Sequence, residues 1–176
     1  MAFLMALAAG AEFAMGRRPW GVAGIPGFWS GDIWSAHNSQ FFLDPYTFTH
    51  ILHGVMFYAL LSAVFRNMPV LSRLVIATGL EAGWEVLENS NFIIQRYRAE
   101  TISLNYFGDS IVNSMSDILA CITGFILAWR LPVRVSIAGT IAVEILLAFW
   151  IRDNLLLNLI MLIHPIPAIR VWQLGH

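Results

Sequence analysis

The sequence predicts an all-α protein: a polytopic membrane helical bundle of about five transmembrane helices, followed by a C-terminal interfacial or re-entrant segment. Composition is the first reason, because 58% of the 176 residues are hydrophobic and the mean hydropathy is +0.68. Only 12% of the residues are charged, whereas soluble domains carry about 25%. The apolar residues also fall into runs of the length that crosses a bilayer. We expect a single integral membrane domain over residues 1–176.

Proline and polar residues divide the chain into its predicted elements. Pro45, Pro69 and Pro132 each stand at or just before an apolar run, where the missing N–H of proline costs a helix little. The run after Arg152 is too short and too interrupted by proline for a span, so it predicts an interfacial or re-entrant segment over 154–170. Residues 92–108 are predicted to form a polar loop. The predicted helices cover about 2–16, 46–66, 70–91, 109–130 and 133–151.

The arginine distribution predicts an orientation in the membrane. All ten basic residues are arginine, and they form no basic stripe, so nucleic acid is not an expected partner. Arginines flank the two short loops, near 66–73 and 130–134, which favours the cytoplasmic side for those loops. The longer polar loops then lie at the outer face. Their own arginines oppose this rule, unless they contact the phosphates of membrane lipids, which are the expected partners.

A polar stretch from Glu81 to Asp117 stands out from the apolar sequence around it. Ionisable side chains inside a membrane are costly and usually serve function. Asp109, Asn113 and Asp117 recur every fourth residue and share one helix face. In the predicted up-and-down bundle this face lies at the depth of His50 and His53 and of the glutamates of the third helix. Asp109 also precedes a helix, where capping alone would explain it. The sequence therefore predicts a polar intramembrane site near the outer face.

Each of these residue types suggests a chemical role. Carboxylates and imidazole perform general acid and base catalysis, and the predicted catalytic residues are Glu85, Asp109, His50 and Asp117. The guanidinium fork matches the oxygens of an anionic group, and the predicted substrate-binding residues are Arg96, Arg98, Asn113 and Asn89. Imidazole and carboxylate also bind divalent metal ions, and the predicted ligands are His50, His53, Glu85 and Glu88. Glu81 and Asp117 would share a proton or pair with Arg96 or Arg98.

Several strings carry a resemblance to a known family: HNSQFFLDPYTF, THILHG, EAGWEVLENSNFIIQRYRAET and YFGDSIVNSMSDILACITGF. Together they resemble an uncharacterised family of multi-pass bacterial inner-membrane proteins, known mainly from alphaproteobacteria. The resemblance implies a polytopic helical protein and supplies no activity. A more distant likeness, to VanZ-like membrane proteins, suggests cell-envelope or lipid-linked chemistry. That likeness rests on the order Asp44, His50, Glu85, Arg98, Asp109, Asn113 and Gly124.

Three functions fit these observations. The first is an enzyme, a hydrolase or transferase, that acts on a lipid or lipid-linked anionic head group with acid–base residues or with a divalent ion that activates water. The second is a non-enzymatic subunit or assembly factor of a larger membrane complex, in which the polar cluster is a structural network. The third is a small proton-coupled transporter, for which the chain offers no repeat symmetry.

Overall fold

The fold is all-α, as the sequence predicts. A computed structural model describes residues 1–175, so His176, the last residue of the predicted single domain, lies outside the described residues. Within the described range there is no strand, only an isolated bridge between Trp29 and Leu43 and a short 3₁₀ turn at Val22–Gly24. The eight α-helices of this range are α1 Ala2–Ala14, α2 Thr47–Val64, α3 Val70–Glu88, α4 Asn91–Glu100, α5 Ile111–Arg130, α6 Val133–Trp150, α7 Leu155–Ile163 and α8 Pro167–Leu174.

Local sequence explains where these helices begin. Pro69 and Pro132 stand directly before α3 and α6. At this position no helical hydrogen bond needs the N–H group that proline lacks. The hydroxyl groups of Ser90 and Ser110 accept the N–H of Ile93 and Asn113 and so cap α4 and α5. Asp109 is therefore not the cap of α5, and its carboxylate is free for other partners.

The predicted polar loop over 92–108 is wrong for its first half, because α4 occupies Asn91–Glu100. Its buried residues are Ile93, Ile94 and Tyr97, which recur at helical spacing. The polar residues between them hide this apolar stripe from a simple reading of composition. As a result α4 covers one side of the site instead of leaving it open.

Three helices are long and apolar enough to cross a membrane: α2, α5 and α6. The first helix, α1, has only 13 residues, which is about 20 Å at 1.5 Å per residue. The third helix, α3, is long enough but carries Arg73 and three glutamates, which lower its apolar character. A bundle of five transmembrane helices thus stays a prediction, while three apolar spans are present.

Two glycines let α2 and α5 approach closely. A Cβ added at Gly54 would lie 1.9 Å from the carbonyl oxygen of Cys121, and one added at Gly124 would lie 1.9 Å from that of Ile51. Backbones therefore touch at this crossing, as small residues allow in membrane bundles. The close approach brings His50 on α2 against Asp117 on α5.

The C-terminal segment consists of two short helices joined to the bundle by polar contacts. Glu144 of α6 accepts the N–H groups of Leu155 and Leu156 at the start of α7. Buried Asp153 accepts hydrogen bonds from the side chains of Tyr46 and Gln173, at 3.3 and 2.9 Å. These contacts hold α7 and α8 beside the start of α2. An interfacial position for 154–170 stays a prediction.

Candidate functional site

Glu81 holds both histidines of α2. Nδ1 of His50 lies 2.6 Å from Glu81 Oε1, and Nδ1 of His53 lies 3.0 Å from both carboxylate oxygens. Because an ionised carboxylate only accepts hydrogen bonds, each Nδ1 is the donor, and in a neutral imidazole the lone pair is then on Nε2. The predicted partners of Glu81 are therefore wrong: it pairs with neither Asp117 nor an arginine.

Two other carboxylates beside His50 lack hydrogen-bond partners. Glu85 is fully buried, and neither of its oxygens has a partner among the described residues. Glu85 Oε1 lies 3.4 Å from His50 Nδ1, and Asp117 Oδ2 lies 3.9 Å from His50 Nε2. The second oxygen of Asp117 is also without a partner. Unpartnered buried carboxylates are costly, which is a mark of a functional site.

Asp109 joins the end of α3 to the start of α5. Its carboxylate accepts hydrogen bonds from the Asn89 amide at 3.2 Å and the Tyr106 hydroxyl at 2.9 Å, and its N–H donates to Asn89 Oδ1 at 2.8 Å. Burial raises the pKa of Asp109 to about 7, although the Tyr106 hydroxyl group counteracts this increase. The nearby charge of Asp44 raises it further. Asp109 can therefore exchange a proton near neutral pH.

A cavity of about 410 Å³ opens onto these groups. His50, His53 and Asp117 contribute to its wall from α2 and α5. Glu88 and Asp109 contribute further carboxylates. Aromatic side chains form much of the rest of the lining: Trp34, Tyr46, Trp84, Tyr97, Tyr106 and Phe107.

The predicted substrate-binding residues are placed differently from one another. Asn113 lines the cavity, but its amide donates to the carbonyl of Phe41 at 3.0 Å. Asn89 is buried behind the lining and is engaged with Asp109. Arg96 donates to the main-chain carbonyls of Leu162 and Ile163 on α7, and Arg98 donates to that of Tyr106. Neither guanidinium group lines the cavity.

Three sets of side chains could each hold a metal ion, since the ligand atoms within each set lie within 4.8 Å of one another. The predicted set of His50, His53, Glu85 and Glu88 is divided among them. The sets are His50, His53 and Glu81; His50, Glu85 and Asp117; and Glu85, Glu88 and Asp109. His50 and Glu85 each belong to two sets.

Sequence reasoning missed the two residues that orient the site. Glu81 has a helical signal that could have assigned it, because Glu81, Glu85 and Glu88 lie on one face of α3 at i, i+4 and i+7. Asp44 accepts the N–H groups of Ser39 and Tyr46, both at 2.8 Å, and so fixes the start of α2. Its hydrogen-bond partners are close in sequence, and the DPYT string gives a turn signal.

Comparison with known proteins places the chain in a family. Residues 12–175 match the model of the family described as "Protein of unknown function (DUF2585)". The chain belongs to the DUF2585 family. This membership confirms the predicted resemblance to an uncharacterised alphaproteobacterial family, while the likeness to VanZ-like proteins stays a prediction. No solved structure matches the chain.

Three relatives of the DUF2585 chain carry the name UPF0314 protein. The relative from Paracoccus denitrificans is 49% identical over 159 residues, which cover 90% of this chain and 82% of the relative. The relative from Brucella anthropi is 50% identical, and the matched residues cover 84% of this chain and 74% of the relative. A relative from Sphingopyxis alaskensis is 44% identical, and the matched residues cover 99% of this chain and 93% of the relative. None of these names states an activity.

Proposed function

We propose that this DUF2585 protein is an integral membrane enzyme, a hydrolase or transferase, that acts on a lipid or lipid-linked anionic head group. The observation that carries the proposal is His50, a buried and oriented imidazole on the wall of a cavity, beside carboxylates that lack partners. The three apolar helices support a membrane location. An inner-membrane position with the cavity at the periplasmic face belongs to the same proposal.

The cavity suits a small polar head group. Its volume of about 410 Å³ lies in the range of about 300–1,000 Å³ that is usual for small-molecule sites. Aromatic rings on its wall suit the border between head group and acyl chain, where one end of a ligand is polar and the other apolar. Carboxylates and imidazoles line the same cavity, and one of its aromatic side chains, Tyr106, hydrogen-bonds to Asp109.

His50 is the proposed general base. Glu81 accepts its Nδ1–H and thereby fixes both the tautomer and the ring orientation, so Nε2 is the atom that can accept a proton. Nε2 is 3.9 Å from Asp117, a distance longer than a direct hydrogen bond. A water molecule or a substrate hydroxyl bound beside both groups would give its proton to Nε2.

Charge limits what this cavity can admit. No arginine forms an ion pair with the clustered carboxylates in the described part of the chain. An anionic head group would meet Glu88, Asp109 and Asp117 without compensation, and like charges at close range repel strongly in a low-dielectric site. The proposed substrate class therefore requires that cations or protons neutralise the wall of the cavity.

Phosphorus NMR provides the test. Purified protein is mixed with total membrane lipids of Paracoccus denitrificans, with divalent cations present, and head-group signals are followed over time. We expect the wild type to convert a phosphorus-containing head group, His50→Gln to be inactive, and His164→Gln, an exposed histidine, to match the wild type. Identical spectra from the wild type and His50→Gln would overturn the proposal.

One observation favours the alternative of a subunit or assembly factor. Only Leu147 of α6 is buried, and most of the other residues of this apolar helix are exposed. Lipid would cover such a face, and so would a partner helix. Co-purification in mild detergent separates the two: a stoichiometric partner lost on placing a charge at Ile141 supports the subunit, and a chain purified alone in active form supports the enzyme.

A further inference from the structure

We propose that the cluster binds two divalent cations and that Glu85 bridges them. The first cation takes His50, Glu85 and Asp117 as ligands, and the second takes Glu85, Glu88 and Asp109. This inference rests on the proposed function for its place beside the cavity, and it deepens that function by naming the cofactor. Nε2 of His50 cannot hold a cation and accept a proton at once, so with the cations bound a cation-bound water, and not the imidazole, would supply the nucleophile.

The position of Glu85 suits a carboxylate that bridges two cations. Glu85 is the residue common to the two ligand sets, and in each set the ligand atoms lie within 4.8 Å of one another. It is fully buried and both of its oxygens lack a hydrogen-bond partner among the described residues. A carboxylate that spans two metal ions uses one oxygen for each, and such ions lie about 3.5–4 Å apart. Glu85 thus has two free ligand atoms where two sets meet.

The hydrogen bond that would orient His50 for the first cation is already in place. Glu81 accepts the Nδ1–H of His50 at 2.6 Å, an arrangement by which carboxylates commonly orient a metal-binding imidazole. The lone pair of Nε2 then faces Asp117, whose Oδ1 has no hydrogen-bond partner. His53, also held by Glu81, completes this support and is not itself a ligand.

Charge balance favours two cations over one. Glu85, Glu88, Asp109 and Asp117 carry four negative charges when ionised, and two divalent cations carry four positive charges. A single cation would leave two buried negative charges without compensation, which is costly. Mixed imidazole and carboxylate ligands suit manganese or zinc. With both cations bound, the wall of the cavity can accept an anionic head group.

Manganese binding tests the inference without any substrate. The detergent-purified full chain is stripped with EDTA and titrated with Mn²⁺, and bound metal and the electron paramagnetic resonance spectrum are recorded. We expect two Mn²⁺ ions per chain with a spin-coupled signal. Asp109→Asn should retain one ion with an uncoupled signal, and Glu85→Gln should abolish the coupled signal. Glu100→Gln, which changes a glutamate away from the cluster, should still bind two.

Two results would overturn the inference: one ion per chain in the wild type, or a coupled signal that survives Glu85→Gln. Asp117→Asn guards against a variant that fails to fold, because it should lose the first cation and keep the second, and circular dichroism reports the fold of every variant. Two bound ions without lipid conversion would leave this inference standing and reject the proposed enzyme. One bound ion per chain together with lipid conversion would do the reverse.

Discussion

The two histidines of α2 have different roles, although they lie one turn apart. His50 reaches Glu85 and Asp117 as well as Glu81, whereas the polar contacts of His53 go to Glu81 alone. We expect His50→Gln to remove lipid conversion and His53→Gln to reduce it by less than tenfold. The measurement is the initial rate by phosphorus NMR for both variants at equal folded concentration. Equal losses would contradict the assignment of different roles to the two histidines.

Asp153 gives a pH dependence that is independent of the site. Burial raises its pKa to about 6, despite hydrogen bonds from Asn158 and Asn154 that act in the other direction. The folded state thus binds a proton more tightly than the unfolded state, so the contribution to stability is present below about pH 4 and is lost as the pH rises to about 6. The shift corresponds to about 3 kcal/mol.

The corresponding variant is Asp153→Asn, which cannot titrate. We expect the wild type to lose melting temperature between pH 4.5 and 7.5 by more than Asp153→Asn does. The exposed Asp32 supplies the control, because Asp32→Asn should follow the wild type at both pH values. A difference between wild type and Asp153→Asn that stays constant with pH would contradict the burial argument.

The sequence pattern selected residues that the structure brings together, but it predicted their hydrogen-bond partners less well. An ionisable side chain is costly inside a membrane, and this alone makes Glu85 and Asp117 candidates for a functional role. Helical spacing places them at one depth. It does not show that Glu81 would hold both histidines, because that depends on the rotation of α3 about its axis. Arg96 and Arg98 were assigned to substrate by charge, yet their guanidinium groups donate to main-chain carbonyls. Hydrogen bonds to main-chain carbonyl groups depend on the fold, and no pattern of residue types in the sequence indicates them.

The crossing of α2 and α5 decides the distance between His50 and Asp117. Gly54→Ala and Gly124→Ala would each place a methyl group against a carbonyl oxygen, and overpacking of this kind costs about 1–3 kcal/mol. We expect each variant to melt at a lower temperature than the wild type. Gly139 of α6 has open space around it, so Gly139→Ala should be neutral or gain up to about 1 kcal/mol. A melting scan in detergent checks all three.

Helix bounds were predictable where proline and apolar runs coincide. The structure has helices within one turn of each predicted range, since Pro69 and Pro132 mark helix starts directly. The helix α4 was missed because polar residues interrupt its apolar stripe. Its start at Asn91 was nevertheless signalled by Ser90, which caps it. The two helices after Arg152 were also within reach, because Asn154 caps α7 and Pro167 begins α8.

The orientation of the whole molecule in the membrane is a prediction that thiol labelling can test. Asn105→Cys and Asp32→Cys place thiols at exposed positions of the two long loops, and Asn67→Cys places one in a short loop. Native Cys121 is buried and should stay silent. In intact cells we expect an impermeant thiol reagent to label the first two and to spare the third. The opposite pattern would move the cavity to the cytoplasmic face.

The cluster is either a functional site or a structural network. The melting temperature of Glu85→Gln in EDTA distinguishes these two roles most directly. Glu85 has no hydrogen-bond partner and stands among other carboxylates, so its replacement should leave the metal-free melting temperature unchanged or raise it. Glu81→Gln, which weakens two hydrogen bonds, should lower it. A fall for Glu85→Gln equivalent to about 3–5 kcal/mol, the cost of breaking a buried charge pair, would contradict the account.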